Sequence, residues 1–189
     1  AIVTGASSGI GAAISARLCK MGYEVFGIGR SFGSSFAEQF PDVADNPLFH
    51  AVVCDLLDTE KMLKLVRGIV AEAGVTLLVN NAGIYANIPA EEIASKTFCD
   101  IIDVNVKGTF FMTRHFVDLM IANHYGKIIN LCSAVGLRAA PGSIAYASSK
   151  FAVRGMTQAL ALDLGKYNIQ VNAIAPGAHK TDMYWDAYK

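Results

Sequence analysis

Nine residues near the start, V-T-G-A-S-S-G-I-G at 3–11, constrain the fold more than any other stretch. An apolar run ends at Val3, three glycines follow at positions 5, 9 and 11, and a helical pattern starts at once. Gly5 allows a tight turn, Gly9 lets backbone approach a bound group, and Gly11 lets the helix pack closely on the strand. A helix that begins this way points unpaired N–H groups at whatever lies above the turn, which suits a pyrophosphate. Gly5, Ser7, Ser8, Gly9, Ile10 and Gly11 are therefore candidate binding residues.

The rest of the chain repeats the strand-then-helix rhythm. Apolar strand runs are expected at 1–3, 23–29, 48–56, 75–83, 126–133 and 168–177. Helical patterns fall at 10–22, 58–74, in two stretches within 91–124, and at 144–166, with a short helix at 34–40 in a segment broken by Pro41 and Pro47. Asp58 is the expected N-cap of its helix and Gly74 the expected stop. The strand runs are continuously apolar, as strands covered on both faces are, so a parallel sheet is expected. Helices between parallel strands give an α/β, doubly wound fold.

Composition excludes several functional classes. The chain has 189 residues, 53% of them apolar and 17% charged, with 16 basic and 16 acidic side chains. That balance is globular and offers nothing to a nucleic acid or an anionic membrane surface. No run is long enough to span a bilayer and no signal peptide is visible. Cys19, Cys54, Cys99 and Cys132 form no C-x-x-C pair and read as reduced, buried residues of a reducing, cytoplasmic setting. The four histidines show no metal-binding spacing.

The second strand run ends G-I-G-R-S, with Gly29 and Arg30 where enzymes that use NAD commonly carry a carboxylate for the ribose 2′-hydroxyl. A guanidinium there suits a 2′-phosphate, so NADP(H) is the expected cofactor and NAD(H) the alternative. Residues 146–150 read Y-A-S-S-K. Positions i and i+4 share a helix face, so Lys150 brings a positive charge near the Tyr146 phenol, which lowers a phenol's pKa. Hydride transfer to a carbonyl leaves an alkoxide that needs a proton donor, and Tyr146 can be one. Ser133, at the end of the fifth strand run, can hold the substrate oxygen. The segment 137–145 is expected to flank the pocket. It offers small and apolar surface with Arg138 as its one charged anchor, which favours an uncharged ketone or alcohol.

Taken in order, T-G-x-x-x-G-I-G at 4–11, D-L at 55–56, N-N-A-G at 80–83, Asn105, Ser133, Y-x-x-x-K at 146–150 and P-G at 176–177 resemble the short-chain dehydrogenase/reductase family. The resemblance runs from Val3 to about Asp182. It implies a Rossmann-type domain over residues 1–189, truncated at both ends, and a carbonyl–alcohol oxidoreductase. It implies a catalytic tetrad of Asn105, Ser133, Tyr146 and Lys150. Asp55 would bind the adenine and Leu56 line its pocket, Asn81, Ala82 and Gly83 would lie along the cofactor, and Pro176, Gly177 and Thr181 would hold its nicotinamide end. It also implies a homotetramer or homodimer through the helices at 106–124 and 144–166. The sequence departs from the usual pattern at Cys132, a serine in most relatives, and at His179 and Lys180. Two other classes stay open: a non-catalytic dinucleotide sensor on the same fold, and a nucleotide-sugar epimerase or dehydratase.

Overall fold

The computed structural model describes residues 1–181 and Met183, leaving aside the side chains of 70–73; Asp182, where the family resemblance ends, lies outside the described residues. Six strands form one sheet in the order β3-β2-β1-β4-β5-β6, every neighbouring pair parallel. They are β1 (Ile2–Thr4), β2 (Val25–Gly29), β3 (Phe49–Val53), β4 (Leu77–Asn80), β5 (Gly126–Leu131) and β6 (Ile169–Ile174). The order reverses between β1 and β4, so the loops leaving those two strands part and open a crevice at the carboxyl end of the sheet.

The helices are α1 (Gly9–Lys20), α2 (Ser34–Gln39), α3 (Pro41–Ala44), α4 (Thr59–Ala73), α5 (Ser95–Ile102), α6 (Gly108–Ala122) and α7 (Ile144–Leu164). The Asp58 carboxylate caps α4 by accepting from Lys61 N at 3.1 Å, and Gly74 leaves the helix at φ +64°. Pro41, expected only to break the chain, instead opens α3, because its fixed φ suits the first helical position. The two expected stretches within 91–124 form one continuous run: α5 passes into α6 through a π-helical turn, Asp103–Lys107.

Continuous burial of every strand holds only for the inner ones. β1 and β4 are buried throughout, but β3 exposes His50, Ala51 and Val53, and β6 exposes its last three residues. Among the described residues both lie at the ends of the sheet, with a strand neighbour on one side only. Cys99 also proves exposed, against the expectation of burial; Cys19, Cys54 and Cys132 are buried and all four thiols are free.

A buried polar ladder ties the centre together. Asn80 and Asn130 are paired in register on β4 and β5. Asn80 Nδ2 donates to Asn130 Oδ1 at 2.9 Å and to Thr113 Oγ1 of α6 at 3.1 Å, and Asn130 Nδ2 donates to Thr157 Oγ1 of α7 at 2.9 Å. Each threonine hydroxyl donates in turn to the carbonyl four residues back in its own helix. The ladder ties α6 and α7 to the two strands that carry the site, although Asn80 Oδ1 is buried without a hydrogen-bond partner among the described residues.

Candidate active site

The glycine turn is held by side chains from the β4 loop. Thr4 Oγ1 accepts from the backbone N–H of Asn81 and of Ala82, both at 3.0 Å, and Asn81 Nδ2 donates to the Thr4 carbonyl at 3.0 Å. Gly5 turns at φ +65°, where a Cβ would lie 2.8 Å from Ala82 Cα. A Cβ at Gly11 would overlap the Gly5 carbonyl, so only glycine lets α1 start this close to β1. Ser8 precedes α1 in an extended conformation without capping it through its side chain. The first N–H groups of α1 thus face the crevice with no side-chain cap.

One cleft of about 440 Å³ runs across this end of the sheet. It is lined by Gly5, Ser7, Ser8, Gly9 and Ile10 from the glycine turn, by Arg30 after β2, and by Asp55 and Leu56 after β3. Asn81, Ala82 and Gly83 follow from β4, Ser133 from β5, Tyr146 and Lys150 from α7, and Pro176, Gly177 and Thr181 from the loop after β6. Gly11 and Asn105 lie behind it. Thr181 reaches back to the glycine turn, where a Cβ on Gly9 would meet its methyl group at 3.1 Å. Asp55 Oδ1 accepts from Leu57 N at 2.9 Å and shapes the turn after β3. Arg30 is exposed, and among the described residues it has no ion-pair partner.

The segment 137–145, expected to flank the pocket, does not line this cleft. Its walls stop at Val135 and resume at Tyr146, because 137–143 turns away to pair with the 87–88 segment, Ile88 N donating to the Gly142 carbonyl at 2.8 Å. Leu137 instead lines a separate cavity of about 320 Å³ between α7 and β6. Conversely, Cys54, Ile84, Tyr85, Val104 and His179 line the cleft and were not among the expected site residues. Tyr85 had a signal, since it lies two residues after N-N-A-G. His179 had one only as a departure from pattern.

At the inner end, Ser133 Oγ accepts from Val135 N at 3.2 Å, shaping the short turn Ala134–Gly136, and its hydroxyl lies beside the Tyr146 phenol. Lys150 is buried to 4% exposure, and its Nζ donates to the Leu131 carbonyl at 2.7 Å. Burial lowers the lysine to about 8, against a weaker opposing pull from Cys132. Burial also dominates at Tyr146 and raises its pKa above the usual phenol value. The Ser133 hydroxyl opposes the rise, and Cys132 and Tyr85 add to it. The lowering expected from Lys150 does not appear: its Nζ lies 5.6 Å from the ring centre, and the loss of water around the phenol is the largest influence. Asn105 is fully engaged inside the fold. Its Oδ1 accepts from Ile84 N at 2.8 Å, and its Nδ2 donates to the Ile84 carbonyl at 2.9 Å and to Ser149 Oγ at 3.0 Å.

A doubly wound parallel sheet with a glycine cradle at its switch point, and with a hydroxyl, a phenol and a buried amine at one end of a single cleft, defines a dinucleotide-type oxidoreductase framework. The family model for short chain dehydrogenases matches residues 1–189, and the chain belongs to that family of oxidoreductases. It is 39% identical over 183 residues to the 3-oxoacyl-[acyl-carrier-protein] reductase FabG of Rickettsia bellii, covering 97% of this chain and 73% of that protein. It is 35% identical to the gluconate 5-dehydrogenase of Gluconobacter oxydans, covering 97% of this chain and 72% of that one. Among solved structures, ElxO with NADP bound superposes with a TM-score of 0.90 at 30% identity, covering 98% of this chain and 75% of that one. A Beutenbergia cavernae structure described as a putative NAD(P)-dependent gluconate 5-dehydrogenase, with NADP bound at low occupancy, gives 0.86 at 36% identity over 96% and 72% of the two chains.

Proposed function

We propose that the protein is an NADP(H)-dependent reductase of ketones, interconverting a carbonyl and a secondary alcohol. The observation that carries this reading is the convergence of Ser133, Tyr146 and Lys150 at one end of a cleft whose other end is the glycine turn and Arg30. The residues fit the cofactor: positions 5 and 11 have no room for a side chain, α1 offers uncapped N–H groups to a pyrophosphate, and the exposed Arg30 lines the same cleft with a guanidinium suited to a 2′-phosphate. When bound, NADPH supplies the hydride.

The chain's own groups do the rest. Ser133 donates a hydrogen bond to the substrate oxygen and orients it toward the phenol. Tyr146 gives its proton to that oxygen as negative charge develops there. The phenol is protonated at neutral pH, and burial, which raises its pKa, makes it a weaker acid, so the proton moves only as charge develops on the substrate oxygen. Lys150 steadies the phenolate left behind and offers its remaining N–H bonds to the nicotinamide ribose. Asn105 acts at one remove, by fixing the Ile84 backbone beside the cleft.

The same reading places the protein in the cytoplasm, with its thiols reduced, as a homotetramer or homodimer assembled through α6 and α7. Phe110 and Phe151 lie on those helices 47% and 42% exposed, and Leu162 is 84% exposed. Sedimentation of the complete protein tests the assembly, and a monomer at micromolar concentration refutes it. The catalytic reading is tested by the loss of NADPH fluorescence with a panel of ketones. It fails if NADPH binds and no ketone speeds its oxidation.

A further inference from the structure

Tyr85 and Tyr146 meet ring to ring, T-shaped, with centroids 4.8 Å apart and planes at 80°, and both line the cleft. Tyr85 cannot easily give way, because the segment that carries it is anchored on both sides. Ile84 has both its backbone groups on the Asn105 amide, at 2.8 and 2.9 Å. Past Tyr85, Ile88 N donates to the Gly142 carbonyl at 2.8 Å. Two anchors four residues apart hold the backbone that carries the ring.

A carbonyl oxygen that takes a proton from Tyr146 must lie within hydrogen-bond reach of the phenol, about 2.6–3.2 Å. One of the two carbon substituents on that carbonyl then falls within a few ångströms of a ring packed against the same phenol. We infer that Tyr85 is a specificity-determining residue of this enzyme: it walls the position of one carbonyl substituent, admitting a small group such as methyl and turning away a branched or cyclic one. Its substrates are then ketones with one slim substituent. The inference rests on the ketone-reductase reading and deepens it.

The test compares kcat/KM for a small methyl ketone with that for a ketone branched on both sides, using NADPH and the complete protein. The parent should prefer the methyl ketone. Tyr85→Ala should move the ratio toward the branched ketone about 10-fold or more, the scale of discrimination that pocket shape supplies. Tyr85→Phe, which keeps the ring, should leave the ratio in place. A general loosening of Tyr146 in Tyr85→Ala slows both substrates alike and cancels in the ratio, and unchanged NADPH affinity shows that the variant is folded. A ratio unmoved in Tyr85→Ala while the enzyme stays active overturns the inference alone. A parent that binds NADPH and reduces neither ketone overturns the functional reading and the inference with it.

Discussion

Lys150 Nζ lies 5.6 Å from the centre of the Tyr146 ring and donates at 2.7 Å to the carbonyl of Leu131, the last residue of β5. The lysine is therefore tied to the sheet, and the tyrosine one helical turn earlier is held beside Ser133 by the same helix. Small residues at 147–149 let α7 come this close: Ala147 and Ser149 are buried, and Ser149 accepts from Asn105.

Tyr146→Phe removes the hydroxyl proposed as the proton donor and nothing else of that size. Ketone reduction should fall by about 10²–10⁴-fold, the usual worth of general acid catalysis, with NADPH affinity nearly unchanged. Steady-state rates and a fluorescence titration of the two proteins check this. Retention of most of the rate would make the Tyr146–Lys150 pair structural.

Asn105→Ala should act on the fold first. It leaves the Ile84 N–H and carbonyl without their buried partner, a loss of about 2–6 kcal/mol at 1–3 kcal/mol for each unsatisfied group. Urea unfolding measures it. The rate per folded molecule should fall less than in Tyr146→Phe, since Asn105 stands behind the cleft wall.

Much of this arrangement could be read before the structure, and the divide follows the range of the physics. The glycine turn, the inner strands and the Tyr146–Lys150 spacing are local patterns, and all lie where the pattern puts them. The edge strands misled, because an apolar run does not say whether a neighbour covers it. The π-helical turn at Asp103–Lys107 carries no local signal, and its Asn105 bonds Ile84, 21 residues away. The raised Tyr146 pKa was missed for a similar reason: spacing shows a lysine nearby, but not how far water has been removed from both groups.

Arg30 should set cofactor choice. If it pairs with a 2′-phosphate, NADPH should bind more tightly than NADH by roughly 10- to 100-fold, the worth of one charge-assisted contact. Arg30→Asp should reverse the order, because a carboxylate repels the phosphate and accepts from the 2′-hydroxyl. Equal affinities of the parent for both cofactors would remove this role.

Lys150→Met should make the cofactor-free protein more stable while it destroys activity. A lysine lowered from 10.5 to about 8 costs the fold free energy wherever both states carry the charge, up to about 3 kcal/mol at 1.36 kcal/mol per pKa unit. Methionine removes that cost but leaves the Leu131 carbonyl without its donor, which returns about 1–3 kcal/mol. The net gain expected is about 1–2 kcal/mol at pH 6. The sign follows from linkage. Below pH 8 folded and unfolded parent both hold the proton, so the variant's advantage is full and constant. Between 8 and 10.5 the unfolded parent binds more protons than the folded one, so the parent's stability rises with pH and the advantage disappears. Urea unfolding of both proteins at pH 6 and pH 9.5 decides it. A variant that is less stable at pH 6, or an advantage that grows with pH, would show that the buried amine is neutralised by some other means.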